Sequence, residues 1–135
     1  MSPQETDEKN RIIAKFKGWF EEGATGSWYV IDGCGKYVAF STYKEPYRDL
    51  PFHRSWEYLM DVVEQVENTK IEKVFYSEII MLNGTNVGIY AHGWDDGKIL
   101  FQSVMTNNKD VTTKKEAIWL AVVEFIKWYN TQTSK

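Results

Sequence analysis

Apolar residues recur at helical spacing in three parts of the chain, which predicts three helices. The first helix is short and ends before Gly18, and its apolar positions are Ile12, Ile13 and Phe16. The second begins after Ser55, a residue type that commonly caps helices, and one face carries Trp56, Leu59, Met60, Val63 and Val66. Thr113 and Glu116 fit a capping box that opens the third, whose apolar side is formed by Ile118, Ala121, Val122, Phe125 and Tyr129.

Segments rich in β-branched and aromatic residues lie between these helices. After the first helix, "GSWYVI" and "KYVAFST" flank the glycine-containing "DGCG" and predict a hairpin. After the second, "IEKVFYSEIIML", "NVGIYAH" and "KILFQSVM" are separated by "NGT" and "WDDG" and predict a three-stranded meander. The element order is α-β-β-α-β-β-β-α, so we expect an α+β fold in which three helices pack an antiparallel sheet of about five strands in a layered sandwich.

Chain length and polarity predict one folded unit. The 135 residues are enough for a single core, which we assign to residues 7–131, with residues 1–6 as a flexible arm and residues 132–135 as a loose end. Within that unit, one set of residues is expected to be buried between helices and sheet: Trp56, Leu59, Met60, Val63, Val122 and Phe125.

Composition narrows the function classes. The formal net charge of -3 argues against a protein that coats duplex nucleic acid, because that mode needs a basic surface. The polar start "MSPQETDEKNR" lacks the apolar core of a signal peptide, and no apolar run has the length of a membrane span. Cys34 is the single cysteine and cannot form an internal disulfide, so we expect a soluble cytoplasmic protein.

The stretch "HRSW" places four functional-looking side chains just before the second apolar face. The simpler interpretation is structural, with Ser55 as helix cap and Trp56 as the first core residue. The functional alternative is a site at the positive end of the helix, where cations bind an anionic, nucleotide-like ligand and an aromatic ring stacks on it. That candidate ligand site comprises Tyr47, Arg48, His53, Arg54 and Trp56.

Catalytic and metal-binding signatures are not found in the sequence. There is no nucleophile elbow, phosphate-binding loop or dinucleotide-binding glycine pattern, so we assign no catalytic residue and expect no cofactor. The candidate metal ligands lack the spacing of known sites, so no metal is expected; they are Cys34, His53, His92, Asp95 and Asp96. Trp94, in the polar "HGWDDG" turn, is the aromatic residue most expected to be exposed for contact with a partner.

Four segments together resemble a family of small phage proteins. They are "FKGWF", "WYVI", "HRSWEYLMDVVEQVE" and "AVVEFIKWYN", and they resemble members of the phage ABA-sandwich domain from phages and prophages of gut bacteria. The resemblance implies a helix-sheet-helix layered fold and a location in the cytoplasm of an infected or lysogenic host. The family has no assigned activity, so the resemblance implies no functional residues.

Three functions remain open at this stage. The first is a non-enzymatic accessory protein that binds a host or phage protein and modulates host defence. The second is a protein that binds or sequesters a small anionic ligand, and the third is an enzyme that uses His53 or Cys34. Self-association is a further open alternative, since a sheet edge or a tryptophan surface could be covered by a second copy.

Overall fold

The computed structural model describes residues 2–21, 28–31, 34–41, 50–69, 74–81, 87–93, 99–105 and 113–133. Its helices are α1 (Pro3–Phe16), α2 (Trp56–Glu67) and α3 (Lys114–Thr133). Its strands are β1 (Phe20–Glu21), β2 (Trp28–Ile31), β3 (Tyr37–Ser41), β4 (Val74–Met81), β5 (Val87–Gly93) and β6 (Ile99–Met105). The predicted α+β class with three helices and antiparallel strands is confirmed.

The strands form two three-stranded antiparallel sheets, in the orders β1-β2-β3 and β4-β5-β6. Both are meanders of consecutive strands, as predicted for the second group. A single sheet of about five strands is not shown, because no strand of the first sheet pairs with a strand of the second in the described ranges. The additional strand, β1, pairs Phe20 with Tyr29 and is too short for a periodic pattern to indicate it.

Helix α1 begins at Pro3, so residues 3–6 are helical where the sequence predicts a flexible arm. The reason is local, because Oγ of Ser2 accepts a hydrogen bond from the backbone N–H of Glu5 at 3.2 Å. Proline at the first helical position has a backbone already suited to a helix and lacks an N–H that would need a partner. Helix α3 likewise continues to Thr133, beyond the predicted end of the domain at residue 131.

The end of α1 is set by Gly18, as predicted. Gly18 has a φ of +83°, a conformation that favours glycine, and its N–H donates to the carbonyl of Lys15 at 3.0 Å. The next N–H, of Trp19, donates to the carbonyl of Ala14 at 2.9 Å, which completes a Schellman motif. This turn places the ring of Trp19 5.1 Å from that of Phe52, in the segment before α2.

Helix α3 is the central element of the core. Its eight buried residues span about two thirds of its circumference at roughly 100° per residue. They are Ala117, Ile118, Trp119, Ala121, Val122, Val123, Phe125 and Ile126. The buried surface of this helix is therefore wider than the single apolar side predicted from the sequence. The reason is that α3 contacts α1, α2, β5 and β6 on different sides. No helix in the described part of the chain combines the length and apolar character needed to cross a membrane.

Helix α2 buries one face, as predicted, with a different first residue. Leu59 and Val63 are in the core together with Val62 and Val66, and Met60 packs against its edge. The prediction that Trp56 is buried is wrong, since 45% of the residue is exposed. The physical reason is that Leu50 and Phe52, from the segment before the helix, occupy the core and are fully buried.

An ion-paired cluster joins α1 to the first sheet. Arg11 donates from Nε to Asp7 at 2.8 Å, and its Nη1 lies 2.6 Å from a carboxylate oxygen of Glu21 in β1. The Arg11 guanidinium also lies 6.0 Å from the ring centre of the fully buried Trp28 in β2. Trp28 belongs to the same core as the helices, so the first sheet and α1 are packed together.

Candidate functional site

A buried polar network connects α1, the segment before α2, and α3. Its centre is Asn10, which is fully buried among apolar residues. Asn10 Oδ1 accepts a hydrogen bond from the indole Nε1 of Trp119 at 2.9 Å, and Asn10 Nδ2 donates to the carbonyl of Leu50 at 3.1 Å. Asn10 Nδ2 also lies 2.8 Å from Nδ1 of His53. One amide thus uses three partners, each at least 40 residues from Asn10 in the sequence.

The chemistry of these partners fixes the direction of every bond. An indole N–H can only donate and a carbonyl can only accept, so the amide of Asn10 cannot be rotated by half a turn. Asn10 therefore presents an N–H to His53, and Nδ1 of His53 must accept. The proton of the neutral imidazole then resides on Nε2.

The surroundings of His53 favour this neutral form. Burial lowers the pKa of His53 below its usual value, and the positive charges of Arg54 and Lys115 lower it further. The His53 ring also packs 5.7 Å from the ring of Trp119. His53 is consequently a neutral, half-buried side chain that faces inward.

The residues after His53 form the start of α2, as predicted. Oγ of Ser55 accepts a hydrogen bond from the N–H of Tyr58 at 3.5 Å, so Ser55 is the N-cap. The N–H groups of Arg54 and Ser55 both donate to the carbonyl of Pro51, at 3.1 and 2.9 Å, which closes a compact turn before the helix. The structural interpretation of Ser55 is confirmed.

The outer side of this helix start is a basic aromatic patch formed by Arg54, Trp56 and Lys115. Nζ of Lys115, from the first turn of α3, lies 5.8 Å from the ring centre of Trp56. The same Nζ donates to the backbone carbonyl of Arg54 at 3.1 Å. Two chain segments 61 residues apart are joined by this contact, which places Trp56 at the junction of the N-terminal ends of α2 and α3.

The structure divides the predicted site residues into three groups. Arg54 and Trp56 are exposed at the basic aromatic patch, whereas His53 faces Asn10 in the interior. Tyr47 and Arg48 of the predicted ligand site, and the predicted partner contact Trp94, lie outside the described residues. Two neighbours in the sequence, His53 and Arg54, thus belong to different environments.

An acidic groove borders the patch along α2. It has a volume of about 380 Å³, and its lining residues are Glu57, Tyr58, Met60, Asp61 and Glu64. Its three carboxylates oppose an anionic ligand, and Asp61 is ion-paired with Lys17 of the α1 C-terminus. No three His, Cys, Asp or Glu side chains within the described ranges are grouped as metal ligands would be, and Cys34 is exposed.

Asn10 and Lys115 were not among the residues predicted from the sequence. A signal for Asn10 exists, since it precedes Ile13 and Ala14 by the spacing that places all three on one helical face. A polar residue on an apolar face needs hydrogen-bond partners, but nothing in the sequence indicates which partners Asn10 uses. Lys115 occupies the first turn of a helix and its sequence neighbours give no sign of contact with Trp56.

Comparisons of the chain with protein-family models, with curated proteins and with solved structures found no match.

Proposed function

We propose that this protein is a non-enzymatic accessory protein of a phage or prophage that binds a host or phage protein through the basic aromatic patch, in the cytoplasm of the host. The resemblance of four sequence segments to small phage proteins supports the source. The layered sandwich that the resemblance implies is part of the proposal, and the packing of α3 on β5 and β6 supports it. Modulation of host defence is the role we propose for such binding.

The exposure of Trp56 is the observation that carries the proposal. A tryptophan is the residue type most enriched among the side chains that dominate protein–protein binding energies. Burying its exposed 45% against a partner would remove a large apolar area from water. The contact with Lys115 limits the freedom of the ring before binding, so less conformational entropy is lost when the complex forms.

The charges around Trp56 indicate the chemistry of the partner. Nζ of Lys115 lies 5.8 Å from the ring centre of Trp56, and the exposed Arg54 precedes Trp56 by two residues. The N-terminal ends of α2 and α3 add partial positive charge. A partner surface that carries carboxylates beside an apolar pocket would match this arrangement. We therefore propose an acidic protein surface as the binding partner.

The environment of His53 supports a binding role over a catalytic one. A general base must present an unprotonated nitrogen to its substrate, yet Nδ1 of His53 accepts from Asn10. Nε2 carries the proton, so the second nitrogen of the neutral ring is a donor only.

Affinity capture from host lysate followed by binding measurements with the purified candidate tests the proposal. A true partner should bind the wild-type chain and lose about 2 kcal/mol, or roughly 30-fold in Kd, with Trp56→Ala. Lys115→Glu should weaken binding mainly at low salt, because charge reversal removes electrostatic attraction. Val38→Ala is the matched control, since Val38 is 46% exposed on β3 of the first sheet and is not one of the three patch residues.

The control distinguishes binding to the patch from non-specific binding to exposed apolar residues. A candidate that loses affinity equally with Trp56→Ala and Val38→Ala binds exposed apolar surface and contradicts the proposal. A candidate whose affinity is unchanged by Trp56→Ala and by Lys115→Glu binds elsewhere on the protein. The patch is then not its binding surface.

Binding of a small anionic ligand is the second candidate. Arg54 and Lys115 favour it because both cations lie beside the N-terminal ends of two helices. Nucleotides and cyclic dinucleotides can be screened by thermal shift, and a ligand at a hundred times its Kd should stabilise the fold by about 2.7 kcal/mol. The stabilisation should disappear in the Arg54→Ala, Lys115→Ala double variant, and no shift with any compound would remove this candidate.

A further inference from the structure

We propose that His53 is a proton-dependent switch, in which protonation of Nδ1 separates His53 from Asn10 and loosens residues 53–55, while Leu50, Phe52 and the rest of the core stay packed. This regulatory inference goes beyond the proposed binding function, and its evidence is the buried network alone. Residues 53–55 lead into α2 and end at its N-cap, Ser55.

The geometry makes protonation of Nδ1 incompatible with the bound arrangement. A proton on Nδ1 would face an N–H of Asn10 across the present 2.8 Å separation, so two donors would oppose each other. Asn10 cannot respond by exchanging its oxygen and nitrogen, because Trp119 then loses its acceptor and the Leu50 carbonyl loses its donor. Release of His53 from Asn10 is the remaining response.

The charges that face His53 also disfavour its protonation. Arg54 from its own segment and Lys115 from α3 are both positive, and Asn10 from α1 is neutral. The N-terminal ends of α2 and α3 add partial positive charge nearby. Burial and these two cations therefore disfavour an imidazolium and lower the pKa of His53.

The consequence of protonation is local because the segment has its own contacts. The Asn10 bonds to Leu50 and His53 connect it to α1, and the ring of His53 packs on Trp119 of α3. Leu50 and Phe52, just before His53, are fully buried in the core and are expected to stay there, whereas His53 itself is only half-buried. Breaking the His53 bond should loosen the turn before α2 first, since regions of a protein can open at a smaller free-energy cost than global unfolding.

Release would also alter the outer surface. The carbonyl of Arg54 accepts from Lys115, and the same Lys115 packs on Trp56. Movement of residues 53–55 would separate these groups, so the basic aromatic patch would differ between the neutral and the protonated states of His53.

NMR titration with backbone hydrogen exchange tests the switch in the wild-type protein. The chain has two histidines, so each imidazole can be assigned and followed separately. His53 should titrate below about 6.5, and the protection factors of the Arg54 and Ser55 amides should fall over the same pH range. For each unit by which the closed structure lowers the pKa of His53, full protonation of His53 should shift the equilibrium between the closed and the open turn about tenfold towards the open turn.

Two substitutions test whether His53 and its bond to Asn10 cause the pH dependence of these amides. In His53→Asn, an amide oxygen can accept from Asn10 and does not take up a proton in this pH range, so protection of residues 54 and 55 should become independent of pH. In Asn10→Asp, a carboxylate oxygen would face Nδ1 and favour its protonation, so the pKa of His53 should rise. His92→Asn is the matched control and should leave the wild-type pH dependence of these amides unchanged.

Several results would overturn the switch. A wild-type His53 that titrates at or above about 6.5 would show that protonation is not disfavoured in the fold. Protection factors that stay constant while His53 titrates, or that fall equally in His53→Asn, would show that the turn does not respond to this group. The wild-type titration decides the matter even if a variant fails to fold.

Discussion

Trp119 and Asn10, 109 residues apart in the chain, share a buried hydrogen bond of 2.9 Å. Because Asn10 also binds Leu50 and His53, this one amide determines how α1, α3 and the start of α2 are connected. Within "HRSW", His53 therefore has a structural role in the interior, whereas Arg54 and Trp56 are exposed at the surface.

Replacing Asn10 with alanine should destabilise the fold by about 1–3 kcal/mol, because the buried N–H of Trp119 loses its acceptor. Urea unfolding of Asn10→Ala, Trp119→Phe and the double variant forms a cycle that isolates their interaction. The loss of unfolding free energy in the double variant should be smaller than the summed losses of the two single variants by about 0.5–3 kcal/mol. Strict additivity would mean that the two side chains do not interact.

Leu59→Ala should lower the free energy of unfolding by about 2–5 kcal/mol, since Leu59 is fully buried. Trp56→Ala, on the same helical face by sequence, should change it by only about 0.5 kcal/mol because nearly half of the residue is already exposed. Thermal or chemical unfolding of both variants gives the comparison. Comparable losses would place Trp56 in the core after all.

Ser55→Ala should cost about 0.5–2 kcal/mol through loss of the N-cap of α2, and the 3.5 Å bond to Tyr58 favours the lower end. Ser55→Asp should retain most of the stability, because its carboxylate can accept the same N–H and interacts favourably with the helix dipole. Circular dichroism during urea unfolding measures both. If aspartate proves as damaging as alanine, the hydroxyl has a role other than capping.

Global stability should fall as the pH drops below about 6.5, the pKa of histidine in the unfolded chain. Because the pKa of His53 is lowered in the fold, the unfolded state binds more protons in the interval between the two values. The His53 contribution is complete above this interval, is lost progressively within it, and does not change further below the folded pKa. Urea unfolding from pH 8 to pH 5 should show less pH dependence in His53→Asn than in the wild type, and an equal slope would contradict the prediction.

Local features of the fold were accessible from the sequence because each depends on neighbouring residues. Ser55, Thr113 and Gly18 mark helix ends through bonds within one turn, and the structure confirms all three. Oγ1 of Thr113, for example, accepts from the N–H of Glu116 at 3.1 Å. The meander β4-β5-β6 follows from alternating strand and turn signals in the same way.

The features that were missed depend on contacts between distant segments. Helical spacing places Trp56 on the apolar face of α2, but the sequence does not show that Leu50 and Phe52 fill the core beside it. The wide burial of α3 depends on its having neighbours on several sides. The candidate site follows the same rule, since Lys115 meets Arg54 across 61 residues.

Site-specific photocrosslinking in bacterial cells, the proposed setting of this protein, measures most directly whether the basic aromatic patch binds a protein. A benzophenone amino acid at position 56 retains an aromatic side chain and reacts with whatever contacts it. We predict a discrete crosslinked product from position 56. This product should be lost when Lys115→Glu is added, and position 38 should not give it. No product from position 56, or the same product from both positions and in the Lys115→Glu variant, would contradict the proposal that this patch is a specific protein-binding surface.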